Sequence, residues 1–252
     1  MIEVSFDAFY KEVIDVFKNP HPWAHIRYGD GEGIVLSYPE FTSKQKSESR
    51  WKKWLGTVPS DMSFLAEKIR ESIRYADIVG LPCKRHQNVN QDWRNVKKFI
   101  ISNYKLLSSD RKVCCMDWTV DLQRNNLYDN LLNNKKKIYY VSSRDMTSIF
   151  KNRFKIKNVI GFHLSLQHNP KIGESLTDIP HYPVMYNQII NFINTQDIKN
   201  QIFLIGAGGL GKIYCMEVKK AGGIALDIGS LFDGWKGYVT RSYLKDGHNY
   251  KL

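Results

Sequence analysis

Ile202-Phe203-Leu204-Ile205-Gly206-Ala207-Gly208-Gly209-Leu210-Gly211 passes from an unbroken apolar run through a cluster of glycines into a segment that continues as a helix to Ala221. A short run with no polar residue on either face suits a strand covered on both sides. The glycines allow the backbone to turn sharply, and the helix that follows points its amide-rich end back at the turn. Another apolar strand, Ile224–Ile228, comes next. The segment is therefore one strand–turn–helix–strand unit of a parallel sheet.

The same alternation extends towards the N-terminus. Strands are predicted at Trp23–Tyr28, Ala76–Leu81, Lys112–Met116, Ile138–Ser142 and Val159–Phe162. Helical periodicity falls at 5–18, 60–75, 92–107, 121–132, 145–154 and 183–195, with a further helix opening at Gly33. Residues 41–60 are polar and basic and read as a flap carrying Trp51 and Trp54. The expected architecture is α/β and Rossmann-like: a mostly parallel sheet with helices on both faces. No repeat, low-complexity tract or linker divides the chain, so residues 1–252 are read as one domain.

Ligands of such sheets gather outside the carboxyl ends of the strands. Four polar clusters sit at those ends: Asp30 with Glu32, Ser142-Ser143-Arg144-Asp145, the Gly206 loop, and Asp227. The first lies within Arg27-Tyr28-Gly29-Asp30-Gly31-Glu32-Gly33. If the strand continues extended, alternate residues point the same way, and Asp30 and Glu32 aim at one point. Two carboxylates so placed suit a hard divalent cation, Mg²⁺ or Mn²⁺, which keeps positions for water and phosphate oxygens. The competing reading is a polar surface turn.

Gly206–Gly211 also fits G-x-G-x-x-G, and Asp227 follows about 20 residues later, as in dinucleotide-binding folds. An NAD(P)-linked oxidoreductase is thus one reading. Against it, fewer than 50 residues remain after the loop to complete a dinucleotide site. Binding the phosphates of a nucleotide sugar needs only the loop amides and helix end, and a purely structural turn is the third reading. Lys212 is followed by Ile213, so the loop is not a P-loop.

A net charge of +12 favours polyanionic partners: nucleic acid, anionic lipid headgroups or phosphorylated small molecules. The charge is dispersed. Lys135-Lys136-Lys137 and the diffuse segment Lys44–Lys53 read as solvated faces. With no recognition motif present, a nucleic-acid-binding module is the weakest class, and no nucleic-acid partner is expected. Of the cysteines Cys83, Cys114, Cys115 and Cys215, none forms a Cys-x-x-Cys pair, and no Cys/His cluster has zinc spacing. They read as reduced, buried thiols of a cytoplasmic protein. The start has no signal-peptide pattern, and no apolar run approaches the length of a membrane span.

Arg27-Tyr28-Gly29-Asp30-Gly31-Glu32 resembles the Asp-x-Glu region of the GT-D-type glycosyltransferases, first described as a domain of unknown function. Gly206–Lys212, Ala225-Leu226-Asp227-Ile228-Gly229-Ser230 and Trp235 are similar to that family's closing segment. The resemblance spans most of the chain, although 41–200 matches only in strand–helix rhythm. It implies a transferase moving a hexose from a nucleoside-diphosphate sugar, often a UDP-sugar, with Asp30 and Glu32 at a divalent metal. The expected substrate-binding set is Arg27, Tyr28, Gly29, Gly31, Arg144, Gly206, Gly208, Gly209, Lys212 and Asp227. An inverting mechanism needs a base for the acceptor hydroxyl. The candidates are Asp117, Asp121, His168, His181 and Asp233, with Asp233 favoured by its aromatic neighbours in Phe232-Asp233-Gly234-Trp235. Trp51, Trp54, Trp118 and Trp235 are candidates for stacking on sugar faces. His163 and His168 read as loop residues, not metal ligands. The acceptor is expected to be a glycan or a lipid- or protein-linked glycan. A lipid diphosphate acceptor would draw a basic protein to the inner face of an anionic membrane.

Overall fold

The structure, a computed structural model, describes residues 1–87, 91–166, 175–241, 244 and 250–252. In chain order the elements are β1 (Ile2–Glu3), α1 (Phe6–Lys18), β2 (Trp23–Arg27), α2 (Asp30–Leu36), α3 (Lys44–Leu55), α4 (Met62–Tyr75), β3 (Ile78–Leu81), α5 (Lys84–Gln87) and α6 (Gln91–Lys97). They continue with β4 (Lys112–Cys115), α7 (Trp118–Arg124), α8 (Tyr128–Leu132), β5 (Lys137–Ser142), α9 (Thr147–Asn152), β6 (Asn158–His163), α10 (Tyr186–Thr195), β7 (Ile202–Gly206), α11 (Gly208–Lys220), β8 (Ile224–Asp227) and α12 (Leu231–Trp235). Wider π-type turns extend α6 through Lys98–Asn103 and precede α10 at His181–Met185.

The eight strands form one sheet in the order β1-β4-β3-β2-β8-β7-β5-β6, with every pairing parallel. Alternation along the strands sends side chains to opposite faces. Ala24, Ile26, Val79, Tyr139, Phe203, Ile205 and Ala225 pack under α2, α3, α4, α10 and α11. Trp23, Ile78, Cys114, Ile138, Tyr140, Leu204, Ile224 and Leu226 pack against α1, α7, α8, α9 and α12. Helices on both faces match the architecture read from the sequence.

The central pair β2 and β8 positions the site. Their register sets His25 beside Leu226, so both strands end at the same edge. After β2 the chain turns into α2 on one face, and after β8 it turns into α12 on the other. Divergence of the connections from adjacent strands opens a crevice there.

One boundary changes the reading of the acidic motif. The helix after β2 begins at Asp30, not Gly33. Gly29 is its N-cap, and Glu32, at the third helical position, accepts the Gly29 N–H at 2.9 Å. Acidic side chains favour a helix N-terminus because they offset its dipole and its unpaired amides. Asp30 and Glu32 are thus two apart on a helix rather than on an extended chain, so strand alternation does not set their directions.

Candidate active site

A cleft of about 450 Å³ opens at the carboxyl edge of the sheet. Its walls include Arg27, Gly29, Asp30, Gly31 and Glu32 after β2; Gly206, Gly208 and Lys212 after β7; Asp227 ending β8; and Asp233 on α12. Segments from both ends of the chain therefore meet in one place, as strand-end residues of neighbouring strands must.

Three expected substrate-binding residues lie elsewhere. Tyr28 is fully buried in the core, where its hydroxyl meets Ser72 at 2.7 Å. It is the last residue before the turn, and alternation sends its ring inward. Arg144 is buried and grips Asp233, its Nε donating to Oδ1 at 2.8 Å, while its guanidinium lies 4.1 Å from the Tyr238 ring centre. It therefore orients a carboxylate instead of offering itself to phosphate. Gly209 lies beneath Trp54: a Cβ there would come 2.3 Å from the indole. Gly31 has the same relation to Trp54, at 2.5 Å. Glycine is required at both because the indole rests on the two backbones at once.

The floor of the cleft is a buried chain of charges. Lys212 Nζ lies 2.6 Å from Asp227 Oδ2 and 3.2 Å from Glu32 Oε1. Burial works to lower its pKa, but Asp227 and then Glu32 outweigh that and hold it above the ordinary lysine value. Asp227 also accepts the backbone N–H groups of Arg27 and Gly229, each at 3.1 Å. Both its oxygens are thus engaged by protein donors, which speaks against a ribose contact and against the dinucleotide reading. Glu32 is similarly taken up by Lys212 and the Gly29 amide. Asp30 differs: it is about one-third exposed at the mouth, with Arg50 of α3 3.6 Å away. Of the expected metal pair, Asp30 presents an accessible hard oxygen donor, and Glu32 reaches a metal only if Lys212 yields.

Three of the possible bases, Asp233, Asp117 and His181, line the cleft. Asp233 is held by Arg144 and by the Thr240 hydroxyl, which donates to Oδ2 at 2.7 Å. Asp117 is bonded to His86 at 2.6 Å. His181 lines the cleft, with Nε2 3.0 Å from the Tyr214 hydroxyl, but burial drops its pKa to about 3, which makes it a poor base. Asp121 is away from the cleft and pairs with Arg124. His168 lies outside the described residues. Of the four tryptophans considered, only Trp54 lines the cleft. Trp51 and Trp235 are fully buried, and Trp118 packs on Phe6 and Phe9. Trp93, which carries no motif in the sequence, also lines it, stacked on His86 at 5.2 Å between ring centres.

His181 makes the fold acid-sensitive. Its folded pKa is depressed, so the unfolded chain binds the proton first. Stability is complete above the ordinary histidine value of about 6.5 and falls as pH drops towards 3. Between pH 7 and pH 4.5 this group alone costs about 2–3 kcal/mol. Burial, then Arg27 and Lys212, depress His25 in the same direction. Urea unfolding against pH should show the loss, and His181→Gln should flatten the slope.

A model of the GT-D fold-like domain matches residues 4–235. The chain belongs to this family. Three solved structures share the fold at 14% identity, and no curated protein sequence matches significantly. One, described as "The highly conserved domain of unknown function 1792 has a distinct glycosyltransferase fold", superposes with a TM-score of 0.58 over 98% of this chain and 89% of its own. Another, "A New Glycosyltransferase (DUF1792) from Streptococcus sanguinis", gives 0.57 over 100% and 94%. The GT-D match begins in the strand–helix unit ahead of Asp30 and ends at Trp235, so it takes in every wall of the cleft named above.

Proposed function

We propose that this GT-D protein is a metal-dependent glycosyltransferase, moving a hexose from a nucleoside-diphosphate sugar, a UDP-sugar, to a hydroxyl of a glycan or glycoconjugate. The observation that carries this reading is the cleft itself, which joins an accessible Asp30, the cations Arg27 and Lys212, and the N-terminus of α11. A diphosphate needs such a set: amides at a helix end and cationic side chains on its oxygens. The volume suits a ligand of nucleotide-sugar size.

The residues take distinct roles. The α11 amides and Lys212 receive phosphate oxygens on one side, and Arg27 receives them on the other. Asp30 would hold Mn²⁺ or Mg²⁺, ions that one or two carboxylates take together with phosphate oxygens. When bound, the ion neutralises charge on the departing diphosphate. Glu32 fixes Lys212 and caps α2. Trp54 and Trp93 offer aromatic faces to the base or sugar. Asp233, aimed by Arg144 and Thr240, takes the proton of the acceptor hydroxyl. Among the described residues no helix is long and apolar enough to cross a membrane. The net charge of +12 would draw the protein to an anionic inner membrane surface if the acceptor is lipid-linked.

A thermal-shift series tests the reading. UDP should raise the melting temperature more with Mn²⁺ than without, and Asp30→Ala should remove the Mn²⁺-dependent part. No stabilisation by any nucleoside diphosphate, with or without metal, would sink the proposal. NADH stabilisation alone would restore the oxidoreductase alternative.

A further inference from the structure

Spacing in the sequence predicts no zinc cluster, yet the ends of β3 and β4 bring three soft ligands together. Cys83 lies just past β3, His86 one turn later on α5, and Cys115 ends β4. Their donor atoms all lie within 4.8 Å of one another. The two sulfurs are 2.7 Å apart, and His86 Nδ1 is 3.2 Å from the Cys83 sulfur. None of the four cysteines is in a disulfide.

The orientation of His86 supplies the second observation. Its Nε2 lies 2.6 Å from Asp117 Oδ2, while Nδ1 accepts the Cys83 N–H at 3.3 Å. The proton is thereby fixed on Nε2, and the Nδ1 lone pair is turned towards the two thiols. A carboxylate on the far nitrogen of a ligating histidine is the arrangement that fixes tautomer and ring direction in zinc sites. The ring is further held by stacking on Trp93.

The geometry points to a thiophilic metal site, Cys83–His86–Cys115, that takes Zn²⁺ and is separate from the hard-metal position at Asp30. Two thiolates and an imidazole select zinc over Mg²⁺ or Mn²⁺ by softness. On binding, Zn²⁺ replaces the two thiol protons, which pass to solvent, and accepts the Nδ1 lone pair, while the other ring proton stays on Nε2 and is donated to Asp117. Water completes the fourth position, as in sites with three protein ligands. Tetrahedral zinc sets thiolate sulfurs roughly 3.8 Å apart, so loading spreads the present pair by about an ångström. Since His86 lines the cleft, the ion would tie the two strand ends to its wall and anchor the Trp93 face.

Cobalt titration of the fully reduced, full-length protein tests this without reference to transferase activity. One equivalent of Co²⁺ should give a thiolate-to-cobalt charge-transfer band with tetrahedral d–d bands, and Zn²⁺ should displace it. Cys83→Ser and Cys115→Ser should each abolish the charge-transfer band or weaken it strongly. Asp117→Asn should reduce affinity about 10- to 100-fold. Cys114→Ala is the control, because Cys114 points to the other face of β4, 3.5 Å from His25; it should bind as wild type. Circular dichroism of each variant separates lost binding from lost folding. No charge-transfer band in reduced wild-type protein, or an undiminished band in folded Cys83→Ser, overturns the proposal.

Discussion

Lys212→Met is expected to destabilise the protein by about 3–5 kcal/mol, the largest stability effect in the cleft. The ammonium is buried between Asp227 and Glu32, both themselves largely buried. Removing it leaves two largely buried carboxylates on the cleft floor with less than their share of positive charge. The damage should shrink when one of those charges is also removed, so Lys212→Met/Asp227→Asn should unfold at higher urea than Lys212→Met alone. Asparagine keeps one acceptor oxygen where Asp227 offers two to the backbone donors, so one contact is lost and the rescue is partial. Urea unfolding of the four members of the cycle measures the coupling directly. Additive costs would mean that the lysine is solvated and not part of the floor.

Asp233→Asn is expected to lower kcat by about 10²- to 10⁴-fold, the span typical of a lost general base. Asparagine preserves shape and still accepts from Arg144 at Oδ1, but it cannot take the acceptor's proton. Because Asp233 lies on α12 and the diphosphate contacts are assigned to α2 and α11, UDP stabilisation should persist in this variant. That combination, near-normal donor binding with collapsed turnover, distinguishes a base from a positioning residue. Arg144→Met serves as the comparison. It frees one Asp233 oxygen and loses the contact with Tyr238, so it should disturb geometry and pH dependence with a smaller fall in rate. Turnover of folded Asp233→Asn equal to wild type would move the base to Asp117, the other candidate base among the cleft's carboxylates.

Much of the architecture was readable because parallel strands buried on both faces are apolar throughout, and each is followed by a helix of ordinary length. Ile202–Ile205 and Ile224–Leu226 announce themselves in this way, and strand-end placement then brings Asp30, Gly206 and Asp227 to one edge. The errors have a common origin. Asp30 and Glu32 were read as extended because the strand signal ended ambiguously at Tyr28. A glycine N-cap with glutamate at the third helical position had already started α2. Arg144 looked like a phosphate ligand because its strand-end address was right, but nothing local says that Asp233, 89 positions away, is its partner. Trp93 carries no motif and could be found only from its position over Gly29 and beside His86.

Residue type and period therefore determined, without coordinates, the layered α/β fold, the edge of the sheet where the cleft opens, and the residues supplied to that edge. Those properties follow from local burial patterns and from the alternation of strand and helix. Tertiary structure alone decided how the supplied charges are spent. Lys212 neutralises Glu32 and Asp227, Arg144 aims Asp233, Trp54 seals two glycine backbones, and Cys83, His86 and Cys115 converge from separate strand ends. Apart from Cys83 and His86, one helical turn apart, these pairings join residues that are not sequence neighbours, and their strength depends on ångström-scale separations in a buried, weakly screened environment. No local pattern encodes such distances, because they are set by register between neighbouring strands and by the packing of helices above them.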